Sequence, residues 1–165
     1  MLANAFDLPF RSNGVDFCYC YHVLEHVANF VTCVSEMARV LKTDGELYLS
    51  TPNEKRLLLY VLSAQKEKLV TIIQRNLREW IARFTRRFSR ERGYHTGFAY
   101  ADLSSILSAS FREVSFVTDL CTVYIANGSA YLPFVKFLSW IRALRIIAPS
   151  HTVYCRKPFR TSAWG

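Results

Sequence analysis

The sequence contains little glycine, and its glycines are scattered. There are six among 165 residues, and no two of them form a G-x-G pattern. Glycine-rich turns of that pattern let a backbone approach the phosphate or sugar groups of a bound nucleotide. This sequence therefore has no glycine-rich nucleotide-binding loop.

Long apolar runs and paired cysteines are also missing. No stretch of about 18 residues is apolar and uncharged, as a membrane-spanning helix requires. The N-terminus lacks the basic region and apolar core of a signal peptide. The five cysteines are odd in number and include no C-x-x-C pair, which argues against a disulfide framework or a cysteine zinc site. We expect a reducing, cytoplasmic location.

The net charge of +8 is concentrated in the middle of the chain. Residues 1–54 hold three basic and seven acidic side chains, residues 55–94 hold eleven and three, and residues 95–165 hold seven and three. Such a basic segment is typical of a solvated helix face, and it also suits an anionic partner or membrane headgroups. Its aromatic residues lie on the apolar stripe and not among the basic ones, so we expect no nucleic acid partner.

Hydrophobic periodicity predicts an α/β domain. Val15–Tyr21 is almost entirely apolar, which is typical of a strand buried on both faces. Apolar residues then recur at helical spacing from Val23 to Leu41, and Gly45 is the predicted helix stop. Glu46–Ser50 follows as a second strand. Strand, helix and strand at this spacing predict a βαβ unit.

The rest of the chain is predicted to alternate between helices and short strands. We assign residues 55–94 to a basic helical insertion and residues 129–149 to an apolar amphipathic helix before the last strand, within one partial domain of residues 1–165. The predicted helices are 65–92, Tyr100–Ser110 and Tyr131–Ile147, and the predicted strands are Val114–Val117 and Thr152–Cys155.

Six short motifs occur in a fixed order along nearly the whole chain. They are N-A-F-D-L-P-F at residues 4–10, V-D-F at 15–17, V-L-E-H-V at 23–27, E-M-A-R-V-L-K-T-D-G-E-L at 36–47, Y-H-T-G-F at 94–98 with D-L at 102–103 and F-R-E-V at 111–114, and V-Y-C-R-K-P at 153–158.

Taken together, these motifs resemble the C-terminal two-thirds of class I S-adenosylmethionine-dependent methyltransferases, in particular their small-molecule branch. The resemblance implies a Rossmann-like fold with a mixed sheet and helical insertions. The fold would be partial, because the family's first three strands and glycine-rich loop precede the matching part. Thr43 and Asp44 stand where the family has proline and glycine.

The resemblance also implies which residues contact the cofactor, S-adenosylmethionine. Asn4 would face the adenine amine, the backbone N–H of Ala5 would meet a ring nitrogen, and Leu8 would pack near the base. Tyr21 and His22 would border the methionine end. Ligands of doubly wound sheets bind beyond the carboxyl ends of the strands, which is where both groups are expected. A plain turn role is the alternative for Asn4.

Histidines are the candidate catalytic residues, because a base assists methyl transfer when the acceptor must lose a proton. We predict this role for His95, in a loop between Gly93 and Gly97, and for His26; a structural loop role is the alternative for His95. Alternatively, Glu25 and His26 cap the following helix, or His22, Glu25 and His26 bind a metal. The H-x-x-E-H pattern of these residues also occurs in zinc proteases, but there it lies within a helix, whereas here it crosses a predicted strand-to-helix junction.

The sequence therefore predicts methyl transfer to a small-molecule or lipid-like acceptor, impaired in a chain without the cofactor loop. The rival hypothesis is a non-catalytic remnant that binds a membrane surface or a partner protein through basic amphipathic helices. In a partial sheet, the strand Val15–Tyr21 is expected to be an uncovered edge.

Overall fold

The computed structural model describes residues 2–56, 97–125, 127, 132–144 and 148–157, together with Val70, Gln74, Leu77, Arg78, Ile81 and Thr85. Most of the predicted insertion at 55–94, with its helix at 65–92, lies outside these residues. The described elements are β1 (Val15–Tyr21), a 3₁₀ turn (Leu24–His26), α1 (Phe30–Val40), β2 (Leu41–Pro52), α2 (Tyr100–Ser108), β3 (Glu113–Phe116), α3 (Thr118–Ile125), α4 (Leu132–Trp140) and β4 (Ser150–Arg156).

The four described strands form one mixed sheet in the order β1-β2-β4-β3. β1 and β2 run parallel and are joined through α1, which confirms the predicted βαβ unit. β4 lies between β2 and β3 and is antiparallel to both. The predicted mixed α/β sheet is therefore confirmed, and β1 lies at its edge.

One face of the sheet carries the main hydrophobic core. Leu47, Leu49 and Val153 are fully buried there, because α1 and α2 pack over them. α2 contributes Leu103 and Leu107, which are equally inaccessible to solvent. We call this side of the sheet the core face.

The opposite side of the sheet, which we call the tyrosine face, is covered only in part. α3 reaches it over β2, where Cys121 Sγ lies 3.8 Å from the Tyr48 hydroxyl. Further out, Phe17, Tyr19 and Tyr21 of β1 are 54%, 62% and 53% exposed. The prediction that β1 is buried on both faces is therefore wrong for the described residues, because α3 stops short of this edge strand.

α1 is shorter than the sequence predicts at both ends. It begins at Phe30, because the side chain of Asn29 caps it by accepting a hydrogen bond of 3.1 Å from the Thr32 N–H. It ends at Val40, since Leu41 is extended, fully buried and paired with Val15. Gly45 is therefore not the helix stop, and tertiary burial of Leu41 overrides the helical spacing.

The helices after β3 also differ from the prediction. α3 was not predicted, and α4 ends at Trp140, where residues 141–143 form a turn with Arg142 at φ 57°. α4 therefore covers the first part of the predicted helix Tyr131–Ile147, Leu144 is helical again after the turn, and residues 145–147 lie outside the described residues. Among the described residues, no helix combines the length and apolar character needed to cross a membrane.

Candidate functional site

β1 ends at a polar cluster built around His22. Its backbone N–H still bonds to the Ser50 carbonyl at 2.9 Å, but its φ of 52° turns the chain out of the strand. The imidazole Nδ1 then lies 3.0 Å from Glu25 Oε1, and Nε2 lies 3.5 Å from Ser150 Oγ. A carboxylate can only accept hydrogen bonds, so Nδ1 donates this one.

Glu25 is the buried centre of this cluster. It is 2% exposed, and its Oε2 accepts a 3.2 Å hydrogen bond from Thr51 Oγ1 of β2. His26 Nε2 lies further away, at 3.9 Å from Oε1, and its side chain is 52% exposed. A buried carboxylate needs such partners to offset lost hydration. Glu25 therefore holds His22, and the predicted capping of α1 by Glu25 and His26 is wrong because Asn29 caps that helix.

The described residues do not assemble a metal site. In residues 2–56, 97–125 and the other described segments, no three His, Cys, Asp or Glu side chains come together in a way that could hold a metal ion. The H-x-x-E-H pattern spans the end of β1 and the 3₁₀ turn, so it lacks the helix that presents two histidines on one face. The neighbours that complete the cluster are the hydroxyls of Thr51 and Ser150.

A second set of contacts fixes the N-terminal loop. Glu36 and Arg39 of α1 form a two-bond ion pair with distances of 2.7 and 2.8 Å. Glu36 also accepts the Leu8 N–H at 3.0 Å, while Arg39 donates to the carbonyls of Leu8 and Phe10 at 3.0 and 2.9 Å. The hydrogen bond from Arg39 lowers the pKa of Glu36 to about 2. The E-x-x-R motif therefore anchors this loop, a role that sequence reasoning missed.

The predicted adenine contacts lie in this anchored loop. Asn4 Oδ1 accepts the Phe6 N–H at 3.0 Å, and the Asn4 carbonyl accepts the Asp7 N–H at 3.1 Å. Asn4 thus has the turn role that was its alternative, with one lone pair of Oδ1 left for a ligand. Ala5 and Leu8 are partly buried against the main core. Their contact with a cofactor stays a prediction.

The carboxyl end of β2 is tied to the chain segment at Gly97. Phe98 donates its N–H to the Pro52 carbonyl at 2.9 Å, and Glu54 donates to the Phe98 carbonyl at 3.1 Å. Gly97 has φ 86°, and a Cβ there would overlap the Pro52 carbonyl oxygen, so this close approach requires glycine. His95 lies outside the described residues, and its catalytic role stays a prediction.

His151 supports the same junction from β4. It is fully buried, its Nε2 lies 3.1 Å from the Phe98 carbonyl oxygen, and its ring packs against Tyr100 and Phe116. Burial lowers the pKa of His151 to about 4, so the ring is neutral at pH 7. In the neutral ring, Nε2–H donates a hydrogen bond and Nδ1 is an acceptor. The role of His151 is therefore structural, because this hydrogen bond links β4 to the junction.

The structure thus brings together only some of the predicted site residues. Tyr21 and His22 touch, with ring centroids 4.5 Å apart, and His26 joins them at Glu25. The loop that carries Asn4 is held separately, through α1. A ligand shared by the two groups stays a prediction.

Comparison with known proteins identifies the matching segment. Residues 1–49 match the family model of the methyltransferase domain. That segment contains the N-terminal loop, β1, the His22–Glu25 pair and α1. Among curated proteins, none matches the chain.

Solved structures share the fold over nearly all of the chain. The cyclase SpnF aligns with a TM-score of 0.50 and 14% identity, covering 96% of this chain and 55% of SpnF. A protein from Bordetella parapertussis gives 0.52 and 18%, covering 94% and 43%. A chain from the complex of a Haloferax volcanii methyltransferase activator with a methyltransferase gives 0.51 and 16%, covering 96% and 61%.

These similarities establish architecture more firmly than reaction. The chain spans about half the length of the structures it matches, and identities below a fifth show the fold alone. One of those folds belongs to a cyclase, which illustrates that a fold does not fix its chemistry. The chain therefore shares the Rossmann-like α/β fold of these structures, and its residues 1–49 match the methyltransferase domain family.

Proposed function

We propose that the protein transfers a methyl group from S-adenosylmethionine to a small-molecule or lipid-like acceptor. The observation that supports this most is the His22–Glu25–Thr51 cluster at the carboxyl end of β1. His22 and Glu25 lie within the segment that matches the methyltransferase family, at the edge where doubly wound sheets bind ligands.

The residues present fit one side of the cofactor. Asn4 retains one acceptor lone pair for an exocyclic amine, and the partly buried Ala5 and Leu8 offer an apolar wall for a base. Tyr21 and His22 offer an aromatic ring and a ring nitrogen toward the methionine end. When bound, S-adenosylmethionine would supply the methyl group.

His22 is the base that this geometry supports best. Its Nδ1 is hydrogen-bonded to the buried Glu25, which fixes the direction of the ring and makes Nε2 the nitrogen that faces an incoming acceptor. An acceptor O–H or N–H that reached Nε2 could pass its proton there as the methyl bond forms. His26 is the second candidate, but it is more exposed and lies further from the carboxylate.

We further propose that these 165 residues alone are a weak enzyme. They contain no G-x-G loop to support the cofactor from the other side.

The proposal is tested by calorimetric titration of S-adenosylhomocysteine into the chain. We expect binding weaker than micromolar, lowered further by Asn4→Leu and unchanged by Tyr124→Ser, a matched change at an exposed position on α3. Equal affinity in the Asn4→Leu variant would contradict the assignment of Asn4.

A matched pair of histidine variants tests the base. The assay is transfer of a labelled methyl group to a panel of phenols and amines, across pH. We expect His22→Gln to lower the rate by about 10²–10⁴-fold and to remove its pH dependence. His26→Gln should stay within about threefold, because His26 Nε2 lies 3.9 Å from the Glu25 carboxylate and its side chain is 52% exposed. The reverse result would make His26 the base.

Peripheral membrane contact is a separate proposal, because it depends on α4 and not on this edge of the sheet.

A further inference from the structure

α4 is apolar on both its inner and its outer side. Val135 and Leu138 are buried and pack in a small second core. On the outer side, Phe134, Phe137 and Trp140 are 55%, 52% and 80% exposed. These three recur every third residue, so they lie along one stripe. An ordinary surface helix presents charged residues there.

α3 packs against α4 and adds to the exposed apolar surface. Val123 of α3 contacts the second core, which joins the two helices. On its outer side α3 exposes Leu120 and Tyr124, at 72% and 80%. We call the exposed apolar residues of both helices, together with Ile141 in the turn after α4, the α3–α4 patch: Leu120, Tyr124, Ile125, Phe134, Phe137, Trp140 and Ile141. Large exposed apolar patches on proteins mark sites of interaction.

The charged side chains of α4 and of the turn after it are basic, although Asp119 lies in the first turn of α3. Residues 120–165 contain six basic side chains and no acidic one. Two of the six, Lys136 and Arg142, are exposed on α4 and in the turn after it. Tryptophan, tyrosine and phenylalanine prefer the boundary between water and lipid, and basic residues there are attracted to anionic headgroups.

We propose that the α3–α4 patch docks the protein on an anionic lipid surface. The nine residues of α4 rise only about 13 Å, too short to cross a bilayer. α4 therefore lies in the plane of the interface, with Phe134, Phe137 and Trp140 among the headgroups and Lys136 and Arg142 at their phosphates. This surface is independent of the His22 cluster.

Vesicle sedimentation tests the proposal with the 165-residue chain. Vesicles of phosphatidylcholine mixed with phosphatidylglycerol should bind the protein, and vesicles of phosphatidylcholine alone should bind it much less. The variant Phe137→Ser/Trp140→Ser should lower binding by about tenfold or more. Its matched control is Phe17→Ser/Tyr19→Ser, which removes two similarly exposed aromatic residues from β1 and should leave binding unchanged.

Two charge-reversal variants complete the experiment. Lys136→Glu should weaken binding by about fivefold for each unit of charge changed. Arg112→Glu, at an exposed position before β3, should have less effect. The proposal is overturned if the protein ignores anionic vesicles, if neutral vesicles bind it equally well, or if Phe137→Ser/Trp140→Ser binds like the control.

Discussion

The two faces of the sheet differ in how completely they are covered, although the same strands supply both. On the core face, Leu47, Leu49 and Val153 are fully inaccessible beneath α1 and α2. On the tyrosine face, Tyr19 and Tyr21 stack with ring centroids 6.0 Å apart and stay more than half exposed. Both faces are apolar in sequence, so apolar character alone does not show which side of a strand is buried.

On the tyrosine face, contacts between the tyrosine rings offset part of the free-energy cost of exposing them to water. Tyr19 stacks on Tyr48 of β2 with centroids 5.5 Å apart and planes within 9°. Such cross-strand aromatic pairs stabilise a sheet modestly and keep part of each ring from water. Each phenol also keeps a polar end that water can solvate, which an aliphatic row would lack.

Truncating one residue on each face should show the largest difference. Leu49→Ala on the core face should lower the free energy of unfolding by about 2–5 kcal/mol, because it leaves a cavity under α1 and α2. Tyr19→Ala on the tyrosine face should cost less than about 1 kcal/mol, since the ring is mostly exposed. Urea denaturation followed by circular dichroism measures both. Similar losses would mean that the two faces are equally buried in solution.

Protonation of His151, a buried residue on the core face, should have the next largest effect on the free energy of unfolding. His151 has a pKa of about 4 when folded, against 6.5 when unfolded. Between these values the unfolded chain binds a proton that the folded one does not, so stability falls as the pH drops from 6.5 to 4. Above pH 6.5 this contribution does not change. The total loss through His151 is about 3 kcal/mol.

His151→Gln isolates that contribution. The variant should lose less stability than the original chain over the same pH range, when both are unfolded in urea. Below this range, protonation of Glu36 should destabilise both proteins alike, because its pKa of about 2 depends on Arg39 and not on His151. Parallel curves from pH 7 to pH 4 would show that His151 is not buried as described.

The smallest loss of stability is expected from removing the N-terminal cap of α1, one of the two helices that cover the core face. Asn29→Ala removes the acceptor for the Thr32 N–H and should cost about 1 kcal/mol. Asn29→Asp keeps an acceptor and should cost little. Thermal unfolding would distinguish them, and equal stability of the alanine and aspartate variants would argue that α1 is held by packing alone.

Much of the fold could be predicted from local sequence patterns, because strongly apolar segments indicate strands and periodic segments indicate helices. The strands at 15–21 and 150–156 were predicted to within two residues at each end. The start of α1 was missed since Val23 and Val27 continue the helical spacing through a 3₁₀ turn, although Asn29 is a visible capping residue. α3 was missed because its only strong sequence signal is Thr118-Asp119 at its start.

The site was predictable only where its residues are close in sequence. Tyr21, His22 and Glu25 lie within five consecutive residues, and their proximity could be expected. Ser150 is 128 residues from His22, and Thr51 of β2 is 26 residues from Glu25, so only the fold brings them near. The i, i+3 spacing of Glu36 and Arg39 indicated that the two side chains could pair. It did not indicate that the pair would bind the backbone of Leu8 and Phe10.

The position of β4 in the sheet has a consequence for how the chain acquires its structure. β4 comes after the other three strands in chain order, yet it lies between β2 and β3. Its pairs, such as Leu47 with Cys155, join residues about a hundred positions apart. During synthesis, β3 therefore has no described strand to pair with until β4 emerges. We expect late, cooperative and slow closure of this sheet, with a need for protection from aggregation while the ribosome completes the strand.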